Sequence, residues 1–190
     1  MTSNFTVLYD SCVLYPAPLR DLLMQLALTD LFRARWTNAI QEEWSRNVLK
    51  NRPDLTLEQL TRTQELMNSC VRDCLITNYE DLIPSLQLPD PDDRHILAAA
   101  IKGSVNVIVT FNLSDFPEST LNQYEIEAQH PDDFISDLID LRPGKVAEAA
   151  QICRKRLKNP PKSVNEYLET LLKQGLTVSV SILREIDDKT

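Results

Sequence analysis

Carboxylates bracket one helix-strand unit of this 190-residue chain at positions where they could hold a metal ion. In the segment DPDDRHILAAAIKGSVNVIVTFNLSDF, Asp90 to Phe116, Asp93 opens a helix whose apolar face is Ile96, Leu97, Ala100 and Ile101. The apolar run Val105, Val107, Ile108, Val109 then reads as a strand that delivers Thr110, Asn112 and Asp115. A second apolar strand, Phe5 to Tyr9, ends on Asp10 in the same way. Ligands of open α/β sheets bind outside the carboxyl ends of the parallel strands, so the two strands predict one shared acidic pocket. Hard oxygen ligands suit Mg²⁺ or Mn²⁺ rather than zinc.

Each acid also has a local reading. Asp10 would need a partner to stay charged beside a buried strand, or else caps a turn. Glu43 adjoins the stripe Ile40, Trp44, Val48, but Glu42 beside it is an equal claimant for the solvent. With Asp90 as N-cap, Asp93 falls at N3, where it could close a capping box. Asn112 and Asp115 suit an Asx turn.

Several elements must position these groups. Pro16 and Pro18 introduce a helix with Leu19, Leu22, Leu23 and Leu26 on one face. Thr37 caps the helix that carries Glu43. A long helix runs from Asp54-Leu55-Thr56 to near Cys74 and is followed by a short strand, Leu75 to Thr77. Asp90-Pro91 starts the next helix. Beyond Asp115 come an extended piece, Tyr124 to Glu127, a helix opened by His130-Pro131-Asp132-Asp133, and two more, about 144–157 and 163–174. The β-α alternation predicts a parallel sheet with helices on both faces.

Composition bounds the partners. The chain carries a net charge of −8, unevenly spread: residues 80–140 hold 13 acids and 2 bases, residues 141–174 hold 8 bases and 3 acids. An acidic region beside a basic one suits a metal-dependent enzyme acting on a phosphodiester, while the run Arg154, Lys155, Arg156, Lys158 reads equally as a solvated helix face. No stretch is long and apolar enough for a membrane span, and MTSNFTVLYD lacks the marks of a leader, which predicts a cytoplasmic protein. Cys12, Cys70, Cys74 and Cys153 lack zinc-site spacing and read as reduced. Cys70 and Cys74 fit a packed helix stripe; Cys12, two residues after Asp10, is a candidate to line the site.

Four segments together, Asp10-Ser11-Cys12-Val13-Leu14-Tyr15-Pro16, Ile40-Gln41-Glu42-Glu43, Asp93-Arg94-His95-Ile96-Leu97-Ala98-Ala99-Ala100 and Val109-Thr110-Phe111-Asn112-Leu113-Ser114-Asp115-Phe116, resemble the PIN-domain family. The resemblance covers about the first 130 residues, and the helical remainder looks like the extension of a VapC-like toxin subgroup. It implies a three-layer α/β/α sandwich with a central parallel sheet plus C-terminal helices, divided as a nuclease domain over 1–130 and a helical extension over 131–190. It also implies an endoribonuclease dependent on Mg²⁺ or Mn²⁺, with an RNA substrate, an antitoxin protein as partner, and dimers common in the family. Carried over by position, the family's acids fall on Asp10, Glu43 and Asp93. The fourth place is Asn112, a departure that Asp115 could offset, and Thr110 would line the pocket. The expected site is thus Asp10, Glu43, Asp93 and Asp115 as catalytic groups, the metal held by Asp10, Asp93 and Asp115.

RNA would approach along Arg20, Arg46, Lys50 and Arg52, and along the run from Arg154 to Lys158. His95, two residues after Asp93 on a helix, and His130 read as surface groups outside the chemistry. A second reading is a PIN-fold RNA-binding or regulatory protein whose catalysis Asn112 has impaired. A third, a phosphatase of the haloacid-dehalogenase type, needs an Asp where Cys12 stands.

Overall fold

A four-stranded parallel sheet in the order β2-β1-β3-β4 organises the chain. The structure is a computed structural model that describes residues 5–187. Residues 1–4 and 188–190, which hold the outer ends of the two expected domains and the start of the segment read for a leader, lie outside it. The strands are β1 (Thr6–Tyr9), β2 (Arg33–Arg35), β3 (Val107–Val109) and β4 (Glu127–Gln129). In β1 and β3 every side chain is buried although successive residues point to opposite faces, so both faces of the sheet are covered. That is the expected α/β sandwich.

The chain leaves β1 towards β2 on one side, and leaves β3 towards β4 on the other. The order therefore reverses between β1 and β3, the switch point at whose carboxyl ends open α/β sheets form a binding crevice. Helices α1 (Ser11–Leu14) and α2 (Ala17–Ala27) follow β1. Leu19, Leu22, Leu23 and Leu26 of α2 are all fully buried, each stabilising the fold by roughly 1.5–3 kcal/mol. Tyr9 turns its ring to the same side, stacks on Trp36 and donates its hydroxyl to the Leu23 carbonyl at 3.0 Å.

Helix α3 (Asn38–Asn51) is capped by Thr37, whose hydroxyl accepts from the Ile40 N–H at 3.1 Å. It buries Ile40, Trp44 and Val48 and packs against α1. Helix α4 (Leu57–Cys70) starts with a capping box between Thr56 and Gln59 and stops earlier than expected. Val71 is extended, Asp73 takes a left-handed turn at φ 54°, and Cys74 is carried inward while Cys70 stays exposed. The anticipated strand over Leu75 to Thr77 reduces to one bridge, Trp36 to Leu75, at the edge beyond β2.

A 3₁₀ turn, Pro91–Asp93, precedes α5 (Arg94–Lys102), so the helix begins later than Asp90-Pro91 suggested. Asp90 does cap, accepting from the Asp92 N–H at 2.9 Å, but Asp93 makes no capping-box bond. A short α6 (Glu118–Leu121) and a 3₁₀ turn, Asn122–Tyr124, replace the start of the extended piece before β4, with Glu125 at φ 56° making the bend.

The C-terminal part contains α7 (Pro131–Leu141), α8 (Pro143–Arg156), α9 (Val164–Leu172) and α10 (Thr177–Asp187). The last was not anticipated, because Thr177-Val178-Ser179-Val180-Ser181 is β-branched and hydroxylated and favours a strand by propensity. Tertiary bonding overrides that preference. Asp132, buried near the start of α7, accepts from the Val178 N–H at 2.8 Å, the Ser179 N–H at 2.9 Å and the Ser179 hydroxyl at 2.7 Å. It thus supplies the orphan donors at the first turn of α10. The same helices join the sheet's core: Phe134 of α7 meets Phe32 edge to face at 5.1 Å, and α8 packs on α2.

Asp132→Ala strands two backbone donors and a hydroxyl. Urea denaturation should show a loss of about 3 kcal/mol, from hydrogen bonds to a buried charge; a loss below about 1 kcal/mol would mean that α10 is held by packing alone.

Candidate active site

Asp10 lies at the carboxyl end of β1, and its N–H donates to the Val109 carbonyl of β3 at 3.1 Å, so it spans the crevice between the two central strands. It is almost wholly buried. One carboxylate oxygen accepts from the Ser11 N–H at 2.6 Å; the other accepts from the Thr110 hydroxyl at 2.7 Å and the Cys12 thiol at 3.2 Å. Asp10 is thus both a cap for α1 and a buried acid. Burial pushes its carboxyl above the ordinary range, against the pull of these three donors.

Thr110, fully buried, accepts in turn from the Asn112 N–H at 3.0 Å, which sets the turn after β3. Cys12 does line the site. Its sulfur accepts from the Phe111 N–H at 3.3 Å, and burial next to Asp10 lifts its thiol to about 12, so it remains a protonated donor.

Glu43 is half-buried on α3 while Glu42 is exposed, which separates the two neighbours. Its Oε2 lies 3.6 Å from His95 Nε2. Contact with His95, then hydrogen bonding by Ser11 and the charge of Arg46, hold Glu43 below the usual carboxylate range despite its partial burial. Asp93 interacts electrostatically with these groups. Its carboxyl rises from 3.8 to about 7 through burial first, then through the charges of Asp10, Asp90, Asp115 and Glu43. The expected acids therefore share one electrostatic environment, with Asp90 as an added member.

The donors are all carboxylate oxygens, whose chemistry fits a hard divalent cation, and their mutual repulsion is what such an ion would relieve. Among the described residues, no three His, Cys, Asp or Glu side chains already form a metal cage. The set fits in kind and charge without being preassembled.

The PIN-domain family model matches residues 6–114, more than half of the chain, and the model described as the VapC50 C-terminal domain matches residues 131–185. The chain belongs to the PIN-domain family. Its C-terminal helices match the extension of a VapC-like member, as the resemblance implied. A Mycobacterium tuberculosis protein named "Putative ribonuclease VapC50" is 49% identical over 63 residues, which cover 33% of this chain and 37% of that protein. The match thus spans little more than a third of that relative. No solved structure matches the chain.

Within this PIN domain the other expected residues separate. Asn112 is exposed in the turn, and Asp115, half-buried in a 3₁₀ turn, reaches Asp93 through its charge. Arg46 is exposed one turn beyond Glu43, and Lys50 is exposed on the same helix. Arg20 has a structural task instead: it donates to the carbonyls of Leu14 at 2.7 Å and Tyr15 at 3.2 Å, and lies 4.4 Å over the Trp44 ring. Arg52 pairs with Asp54 at 2.6 Å. Of the basic run, Arg154 donates to the Lys162 carbonyl at 3.0 Å, while Lys155, Arg156 and Lys158 are exposed. Three of its members, Arg154, Lys155 and Arg156, form the last turn of α8, where cations suit the helix dipole.

His95 corrects the sequence reading. On one continuous α-helix a residue two beyond Asp93 would face elsewhere, yet Asp93 belongs to the preceding 3₁₀ turn and His95 to α5. The wheel does not extend across that junction, and His95 meets Glu43. His130 also leaves the surface role: its Nδ1 accepts from the Asp132 N–H at 3.1 Å, and its ring meets Phe111 at 5.2 Å. Ser11, the link between Asp10 and Glu43, was overlooked; its place directly after a strand-end Asp was the available signal.

Asp93 sets a pH dependence. The folded chain holds its proton up to about 7, whereas the unfolded chain releases it near 3.8. Across that window the native state binds more protons, so stability is fully present below 3.8 and falls as pH rises to about 7. Asp10 adds the same sign and Glu43 opposes it. In chelated buffer the melting temperature should drop between pH 5 and pH 8, and Asp93→Asn should flatten that slope; an identical slope in the variant would place the strain elsewhere.

Proposed function

We propose that this protein is an endoribonuclease dependent on Mg²⁺ or Mn²⁺, acting as the toxin of a toxin–antitoxin pair. The observation that carries the reading is the gathering of Asp10, Glu43, Asp93 and Asp115 beyond the carboxyl ends of β1 and β3, where burial first and then the charges of Asp10, Asp90, Asp115 and Glu43 lift Asp93 to about 7. Acids perturbed in this way at a strand-end switch point mark a functional-site candidate. Asp10, Asp93 and Asp115 would hold the ion, with Glu43 beside them. Bound there, such an ion supplies an activated water and stabilises charge on the phosphate.

The chain's own residues prepare that site. Thr110 and Ser11 orient the two oxygens of Asp10, and the protonated Cys12 thiol adds a donor without offering a thiolate ligand. To serve as a ligand Asp93 would have to be deprotonated, so affinity for an ion would rise with pH up to about 7. The exposed Arg46 and Lys50 guide the RNA backbone without reading its sequence. Asp115 supplies near Asp93 the charge that Asn112 lacks, which favours catalysis over an impaired binding protein.

Residues 1–130 serve as the nuclease unit and 131–190 as its helical extension. The match to the VapC50 C-terminal domain supports the toxin assignment, and with it an antitoxin protein as partner, a homodimer as assembly and the cytoplasm as location. No helix among the described residues is long and apolar enough to cross a membrane.

Cleavage of a mixed single-stranded RNA by wild type and Asp93→Asn, with Mg²⁺, Mn²⁺ or EDTA, tests the reading. Wild type should cut with either metal, and both EDTA and the variant should abolish cutting; EDTA-resistant cutting, or a cooperatively folded but inert wild type, would sink it. Arg46→Gln should weaken RNA binding and lower the slope of log affinity against log salt by about 1. An unchanged slope would remove Arg46 from the RNA path.

A further inference from the structure

His95 has two nitrogens in opposite circumstances. Nδ1 is buried without a hydrogen-bond partner, whereas Nε2 faces Glu43 Oε2 at 3.6 Å. Burying Nδ1 unpaired carries a penalty that an aliphatic side chain would not. The polar partner of the ring lies on the Nε2 side. With no acceptor near Nδ1, the ring proton finds its acceptor only on the Glu43 side.

Glu43 needs such a partner. It projects from α3, half-buried, towards the like charges of Asp10 and Asp93, and the exposed Arg46 offers it a countercharge on the solvent side. Repulsion from the acids and attraction to Arg46 both draw the carboxylate outward. His95, on α5, and the Ser11 hydroxyl oppose that drift from the inner side. At 3.6 Å the His95 contact is electrostatic rather than a closed hydrogen bond, and a small side-chain rotation closes it.

We propose that His95 is a positioning residue: through Nε2 it holds the Glu43 carboxylate within the acidic cluster, where that carboxylate helps Asp10 and Asp93 bind a divalent cation. The inference rests on the metal-site reading above. It adds a residue outside the carboxylate set that orients one member of that set from behind.

Two amides separate positioning from packing. In His95→Gln the side-chain nitrogen falls near the place of Nε2; in His95→Asn it falls near Nδ1, where no partner waits. The measurement is Mn²⁺ affinity by calorimetry on the full chain, with RNA cleavage alongside and urea denaturation to confirm folding. His95→Asn and His95→Ala should weaken Mn²⁺ binding about 10- to 100-fold, His95→Gln should recover most of it, and the loss should vanish in a Glu43→Gln background. Equal losses in all three variants, a loss that persists without the Glu43 charge, or full affinity in His95→Asn would each overturn the proposal. Should wild type leave RNA uncut while Mn²⁺ affinity follows the expected pattern, the nuclease reading falls and the positioning role stands. A wild type that binds no Mn²⁺ refutes both.

Discussion

A single buried carboxylate, that of Asp10, ties the sheet to the site. It ends β1, receives the Thr110 hydroxyl from the end of β3, and caps α1 through the Ser11 N–H. Three elements thus converge on one charged group at the point where strand order reverses. An unpaired carboxylate at that depth would be prohibitive, and here hydroxyl, thiol and amide donors offset part of the cost. Those donors fix both oxygens in direction, which gives the neighbouring acids a fixed point to be arranged around.

The remaining acids make this arrangement a poised one. Asp93 is free of the capping role open to it, because Asp90 takes that role and α5 starts only at Arg94. A capping-box bond would have lowered its affinity for a proton; instead burial first, and then the like charges around it, lift it to about 7. Glu43, in the same neighbourhood, is held low by His95 and Arg46. Two carboxylates close together are thereby pushed in opposite directions, one kept ionised and one easily protonated. Such divergence between neighbouring carboxylates is the kind of perturbation that clusters at functional sites.

Much of this was legible in the residues, and the exceptions have physical reasons. The stripe Ile40, Trp44, Val48 and the Thr37 cap placed α3, and the strand-end positions of Asp10 and Thr110 placed the crevice, because hydrophobic period and cap chemistry act locally. What could not be read depends on junctions and on distant partners. The inward face of His95 follows from a change from 3₁₀ to α geometry at Asp93, which no single helical wheel describes. The structural role of Arg20 follows from carbonyls at the end of α1 and from Trp44 on α3, both remote from any pattern around Arg20 itself.

Helix α10 shows the same principle at longer range, and it bears on the site. Its opening residues favour a strand, so its helical start depends on Asp132, some 46 residues earlier in the chain. Asp132 lies two residues after His130, whose ring rests on Phe111 and whose Nδ1 receives the Asp132 N–H. Phe111 in turn donates its own N–H to the Cys12 sulfur beside Asp10. A continuous chain of contacts therefore runs from the last helix through Asp132, His130, Phe111 and Cys12 to the buried carboxylate. Each link is a directed hydrogen bond or a ring edge rather than loose apolar contact, so the C-terminal helices constrain where the turn after β3 can lie. The extension is in this sense linked to the buried Asp10, although it supplies none of the acids.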